Sequence, residues 1–292
     1  MTALVIKWLL RILLGLLGLL ILFWIYFRFF ASFGPSSKEV AARMAQAPYP
    51  VTARTYLHGA DTMRYLQGGR PDGPALVFVH GSPGNWEAWE AYLRDTALCE
   101  YARIYAIDRL GYGGSMPGTP VASLEMHAAS LRPLVDSLHA AGKVILIGHS
   151  MGGPIVARAA MDFPELLDGI MILAGSADPA QEKVMGIQRF IQHRATRWLI
   201  PPDLDMSNRE LMPHAEELAR MQPRWDSIPI PVTILHGQKD QLVPWQNAEY
   251  MASRMPSNPP RLILLPEENH FIPWTRTDTV RAELIRMLEA LR

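Results

Sequence analysis

Val144-Ile145-Leu146-Ile147-Gly148-His149-Ser150-Met151-Gly152-Gly153 is the stretch on which the fold turns. Its first four residues are all aliphatic, three of them β-branched. A continuous apolar run of this kind reads as a strand covered on both faces, not as one that alternates between core and solvent. The strand cannot run on through Gly148 to Gly152. From Pro154 to Asp162 the apolar residues recur at helical spacing. Ser150 therefore stands in a tight strand-to-helix turn. The residues two positions away on either side are glycines, which lack the bulk that would block so sharp a bend. A serine carried in that way is a candidate nucleophile.

Working outward, the same alternation repeats along the chain. Val51 to His58 and Thr62 to Gln67 read as a hairpin joined at Gly59-Ala60-Asp61. Buried strands are expected at Ala75 to Val79, Arg103 to Ile107, Ile170 to Leu173, Val232 to Leu235 and Leu262 to Leu265. Helical patterns fill the intervals at Trp86 to Arg94, Ser123 to Ala141 and Thr279 to Leu291. Strands alternating with helices specify an α/β fold with a mostly parallel central sheet and helices on both faces. Ligands of such sheets bind beyond the carboxyl ends of the strands, so the chemistry belongs in the segments that follow them.

A serine hydroxyl needs a base. Of nine histidines, His270 follows the strand ending at Leu265, sits in the loop Glu267-Glu268-Asn269-His270-Phe271 and precedes the last helix. That position suits a base in the chain order serine, acid, histidine. His149 lies inside the turn and is read as supporting it. His80 and His236 are read as structural, and His58, His127, His139, His193 and His214 as surface or packing residues. Asp240, in the loop after the strand Val232 to Leu235, is the acid that orients His270. Asp178 follows another strand and competes for that role. Asp108 ends a strand before Ser150, in what reads as a structural turn, and Glu267 and Glu268 are read as solvent-facing. An oxyanion needs backbone N–H donors. One is expected from Met151. The other is expected from Ser82 in His80-Gly81-Ser82-Pro83-Gly84, because Pro83 has no N–H to give.

These motifs together resemble the α/β-hydrolase superfamily, in its single-domain serine-hydrolase branch. The resemblance rests on His80-Gly-Ser-Pro-Gly84, Asp108-Arg-Leu-Gly-Tyr-Gly-Gly-Ser115, Gly148-His-Ser-Met-Gly152, His236-Gly-Gln-Lys-Asp240 and Asn269-His270, in that order across roughly residues 51 to 292. It implies Ser150 as nucleophile, Asp240 as acid and His270 as base. It also implies hydrolysis of a carboxylic ester through an acyl-enzyme, with no metal or organic cofactor. Serine at position 150 separates the chain from the dehalogenases and epoxide hydrolases of this fold, which carry aspartate there. Ser82 and Met151 stand where proline iminopeptidases usually have glycine and tryptophan. Carbon–carbon bond hydrolysis, peptidase activity, acyl transfer and a non-catalytic tethered binding domain remain as alternatives. In this family the insert at about 179–225 would be a small helical cap. Its helices are expected at Gln181 to Arg194 and Ser207 to Met221, with a turn through Pro201-Pro202. Met185, Phe190, Ile191, Trp198, Leu199 and Ile200 would pack the cap onto the core, or in part line an acyl pocket or touch lipid. Trp86 and Trp89, at i and i+3, are read as core.

The remaining signal is at the amino-terminal end. Ile12 to Phe27 is sixteen residues without a charge, with Lys7 and Arg11 before the run and Arg28 after it. Leu4 to Phe30 exceeds the roughly 20 residues that a bilayer span needs, and Trp24, Tyr26, Phe27, Phe29 and Phe30 resemble an interfacial belt. The expected layout is a transmembrane anchor at 1–33, a linker at 34–50 and a hydrolase domain at 51–292. The localisation is then single-pass membrane, with the catalytic domain on the extracytoplasmic side. The rival reading is a cleaved export signal, although the junction from Phe29 to Phe33 lacks a small-x-small site. Composition excludes other classes. Lys+Arg and Asp+Glu both number 28, so no basic surface is available for nucleic acid. Cys99 is the single cysteine, which rules out an internal disulfide framework. The expected partner is a small-molecule ester or lipid-like substrate.

Overall fold

The computed structural model describes residues 2–29, 37–184, 186–194 and 196–291. Eight strands form one sheet: β1 (Thr52–His58), β2 (Asp61–Gly69), β3 (Ala75–Val79), β4 (Arg103–Ile107), β5 (Val144–His149), β6 (Gly169–Leu173), β7 (Val232–Gly237) and β8 (Arg261–Leu265). Their order is β1-β2-β4-β3-β5-β6-β7-β8. The hairpin β1–β2 joins antiparallel and β2 meets β4 antiparallel, while every pairing from β4 to β8 is parallel. This is an α/β-hydrolase fold.

Among the described residues, twelve α-helices accompany the sheet. They are α1 (Thr2–Phe29), α2 (Ser37–Met44), α3 (Glu90–Leu93), α4 (Thr96–Tyr101), α5 (Leu124–His139), α6 (Gly152–Asp162), α7 (Gly186–Gln192), α8 (Pro202–Leu211), α9 (His214–Met221), α10 (Gln246–Ser253), α11 (Ile272–Thr275) and α12 (Thr277–Glu289). The period of two in a strand divides the core into two layers. Val77, Val79, Leu146, Ile170 and Ile172 face one cluster with α5 and α6. Leu76, Phe78, Ile145, Ile147, Met171 and Leu173 face the other, with Trp89, Tyr92 and α12. Each of these aliphatic side chains is fully buried, a contribution of about 1.5–3 kcal/mol apiece before entropy is counted.

Several local expectations differ from the structure. The pattern from Trp86 to Arg94 is a 3-10 turn (Trp86–Trp89) running into α3. Trp86 and Trp89 are both buried, as core residues. The stretch Gln181 to Arg194 is not one helix; a 3-10 turn at Pro179–Gln181 is followed by the shorter α7. Ser207 to Met221 is likewise two helices, because Pro213 stands between α8 and α9 and has no N–H to continue the ladder. Pro202, read as part of a turn, instead starts α8 in the first helical turn, where proline costs nothing. Met185, Phe30 and the possible cleavage junction through Phe33 lie outside the described residues.

Among the described residues, one helix is long and apolar enough to cross a membrane: Val5–Arg28, with mean hydropathy 2.4. Its far end is joined to the helical insert. Trp24 Nε1 donates to Leu199 O at 2.9 Å, Arg28 Nε donates to Trp198 O at 3.2 Å, and the Trp24 and Trp198 rings meet edge-on at 5.0 Å.

Candidate active site

Ser150 follows β5 and precedes α6 with φ at 54°. This left-handed conformation costs a non-glycine residue about 1–3 kcal/mol, a strain that surrounding structure must hold. The restraints are visible. Ser150 N donates to Leu173 O at 3.0 Å, and Ser150 O accepts from Gly153 N at 2.9 Å. A Cβ on Gly148 would lie 2.1 Å from Gly152 O, and one on Gly152 would lie 2.3 Å from Val79 O. Both glycines are therefore required by the turn. Gly81 packs against the same point, where an added Cβ would sit 3.0 Å from Ser150 Cβ. The loop after β3 thus lies beside the serine, as the oxyanion reading needs, and Met151 is the buried residue that caps α6.

Asp240 and His270 come together. His270 Nδ1 and Asp240 Oδ2 are 2.7 Å apart, with both residues buried. Asp240 Oδ1 accepts from the N–H groups of Leu242 at 2.9 Å and Val243 at 2.8 Å. Burial alone would raise the Asp240 carboxyl. Hydrogen bonds from His236 and His270, and the Val243 N–H, outweigh it and hold the group well below the usual carboxylate range. His236, expected to be structural, has Nε2 3.2 Å from Asp240 Oδ2 and donates to Val243 O at 3.0 Å. The carboxylate therefore sits between two imidazoles. The available signal is the spacing His236-x-x-x-Asp240, from the carboxyl end of β7 into the loop that follows it.

His149 braces the other side. Its Nε2 donates to His270 O at 3.0 Å, and its ring lies 4.7 Å from the His270 ring and 5.1 Å from Trp274. Burial, reinforced by the neighbouring His270, pushes His149 down to about 3, so it is neutral near pH 7. The competing acids are engaged elsewhere. Asp178 Oδ1 accepts from Ala180 N at 3.0 Å and caps a short turn. Asp108 accepts from Trp86 N and Gly114 N, each at 2.8 Å, and pairs with Arg64 at 2.7 Å. That is the structural turn expected of it. Glu267 pairs with Lys239 at the surface, and Glu268 bonds Thr275 and Arg276.

A second buried network escaped sequence reading. Glu210, on α8, is fully buried and receives Arg109 Nη1 at 2.5 Å and Nη2 at 3.1 Å. It also receives His127 Nε2 at 2.9 Å, Tyr112 OH at 2.7 Å and Ser82 Oγ at 2.6 Å. Arg109 Nη2 donates to Gly81 O at 3.0 Å, and Ser207 Oγ lies 3.0 Å from Ser82 Oγ. The insert is thereby tied to the turn that carries Ser82. Burial opposes charge on Glu210, but Arg109 and His127 hold its carboxyl well below the ordinary value. Burial and Arg109 depress His127 in turn. His80, also depressed by burial and Arg109, donates from Nδ1 to Gly81 O at 2.7 Å and accepts from Arg109 N at 3.0 Å. Among the described residues, no group of three or more His, Cys, Asp or Glu could hold a metal ion.

A central parallel sheet, a strained serine after its fifth strand, and an acid and a histidine in loops beyond β7 and β8 define a class of protein. The alpha/beta hydrolase family model matches residues 76–283, and the chain belongs to that family. Among curated relatives, it is 26% identical to a protein of Stutzerimonas stutzeri named as the carbamate hydrolase RutD, over 67% of this chain and 85% of the relative. It is 25% identical to a mitochondrial palmitoyl-protein thioesterase of Rattus norvegicus, over 68% and 69% of the two chains. The fold is similar to that of a membrane phospholipase A from a bacterium, with TM-score 0.67 and 18% identity, covering 97% of this chain and 99% of that one.

Proposed function

We propose that this alpha/beta hydrolase is a membrane-anchored serine hydrolase that cleaves a carboxylic ester through an acyl-enzyme. The observation carrying the reading is Ser150 at positive φ in the turn whose preceding residue, His149, is bonded to the carbonyl of His270, the histidine paired with Asp240. In this mechanism Ser150 Oγ attacks the ester carbonyl while His270 Nε2 takes its proton. The tetrahedral oxyanion is held by the N–H groups of Met151 and Ser82. His270 then protonates the departing alkoxide and the acyl-enzyme forms. Water repeats the sequence, with His270 as base, and releases the acid. Asp240 keeps the His270 proton on Nδ1 and stabilises the imidazolium. No metal or organic cofactor takes part.

The domain layout supported best is an anchor at 1–33, a linker at 34–50 and a hydrolase domain at 51–292 with its cap at about 179–225. Even fully extended, the linker reaches at most about 60 Å, which keeps the site near the bilayer and raises the effective concentration of esters that partition into lipid. The similarity to a membrane phospholipase A covers 97% of this chain, a share that includes most of α1. The early basic segment before the apolar run supports an extracytoplasmic domain. A panel of p-nitrophenyl esters of rising acyl length, given to the detergent-solubilised full chain beside Ser150→Ala, tests the chemistry. Equal hydrolysis by the two proteins would refute it. Retention through a carbonate wash tests the anchor. Protease access in intact spheroplasts tests the side, and full protection there would put the domain in the cytoplasm.

A further inference from the structure

Where α1 meets the insert there is a cavity of about 340 Å³ that shares no lining residue with Ser150, Asp240 or His270. Three guanidiniums line it: Arg28 from the last turn of α1, Arg197 before Trp198, and Arg209 on α8. Asp205 is the one carboxylate among the described lining residues, and its Oδ2 lies 4.0 Å from Arg209 Nη1. Asp205 Oδ1 is buried with no hydrogen-bond partner. The cavity thus carries an excess of positive charge and one carboxylate that no hydrogen bond to Arg209 satisfies. Neither suits an apolar acyl chain.

Resting on the membrane-anchored reading, we propose that this cavity binds the headgroup of a phospholipid whose phosphodiester is followed by a hydrogen-bond donor, as in phosphoglycerol or phosphoethanolamine. Arg28 ends the apolar span, so the cavity lies at the depth where lipid phosphates sit. Guanidinium forks match phosphate oxygens and hold their charge at any physiological pH. The terminal hydroxyl or ammonium answers the Asp205 carboxylate, whose side chain is 22% exposed and whose Oδ2 lies 4.0 Å from Arg209 Nη1, too far for a hydrogen bond. Phosphocholine has the phosphate but no donor at that end, so the site discriminates between headgroups. Trp198, between Arg197 and Leu199, lines the cavity and meets the Trp24 ring of α1 edge-on.

The test uses the full chain in detergent with Ser150→Ala, so that bound lipid is not consumed. Dihexanoyl-phosphatidylglycerol, -ethanolamine and -choline and inorganic phosphate are titrated separately by calorimetry. The glycerol and ethanolamine lipids should bind about tenfold or more tightly than the choline lipid. Arg197→Gln with Arg209→Gln should weaken both by about tenfold or more. In the Ser150 background the same double variant should hydrolyse p-nitrophenyl butyrate as the parent does, which shows that the fold is intact. Equal binding by the double variant, equal binding of all three lipids, or binding of phosphate as tight as that of the lipids would overturn the proposal. Because binding is read without turnover, its failure is separate from failure of the esterase reading. Release of the chain by carbonate would instead remove the anchor on which the inference stands.

Discussion

Asp240 and Glu210 are both buried carboxylates bonded to histidine, but the chain assembles them differently. Every partner of Asp240 lies within thirty residues of it: His236, Leu242, Val243 and His270. The partners of Glu210 lie 83 to 128 residues away, at Ser82, Arg109, Tyr112 and His127. Asp240 belongs to a loop framework that holds one imidazole. Glu210 is a cross-link between the insert and the loop beside Ser150. A local assembly keeps its geometry when distant elements shift. A long-range one makes two elements depend on each other.

The largest expected effect lies on the Asp240 side. Ser150→Ala and His270→Ala should each lower kcat for ester hydrolysis by about 10³-fold or more with little change in KM, because such residues act as a unit. Asp240→Asn should cost about 10²- to 10⁴-fold by losing the tautomer that leaves Nε2 free, while Asp178→Asn should stay near the parent rate. The reverse order would move the acid to Asp178.

Next comes the Glu210 side. Glu210→Gln leaves Arg109 charged and poorly compensated at 1% exposure, and should cost about 3–5 kcal/mol in denaturant unfolding. Replacing the pair together, with Arg109→Met and Glu210→Met, should restore much of that stability. Ester hydrolysis should not recover with it, because Gly81 O would have lost Arg109 Nη2 and Ser82 Oγ would have lost Glu210 Oε2, the bonds that tie the insert to that turn. Recovery of both would mean that the cross-link serves folding alone.

The smallest effect concerns pH. Glu182 in the insert is pushed up to about 7 by burial. A raised carboxyl binds its proton more tightly when folded than when unfolded, so stability is fully present below the unfolded value near about 4.3 and declines as pH rises towards 7. Glu182→Gln should therefore leave Tm unchanged at pH 4.5 and raise it at pH 8. A Tm difference independent of pH would show that Glu182 titrates alike in the folded and unfolded protein. Asp240 and Glu210 work in the opposite sense. Both are depressed, so their stabilisation is present above the unfolded carboxylate value and lost as pH falls through the folded one.

The sequence by itself determined the sheet and the neighbourhood of Ser150. Runs such as Ala75 to Val79 and Val144 to Ile147 have no polar face to offer water, so they can only be interior strands. Gly148 and Gly152 flank the one residue whose backbone the turn strains. Those constraints are local and are written in residue type. Tertiary structure alone decided what the insert does. Pro213 divided an apparently continuous helix, and α8 turned Ser207 and Glu210 towards Ser82 while Asp205 and Arg209 line a cavity beside α1. Nothing near Glu210 in the chain marks it as buried. Its charge is tolerated only because folding brings Arg109 and His127 from more than eighty residues away, and the sequence read along its length carries no trace of that distance.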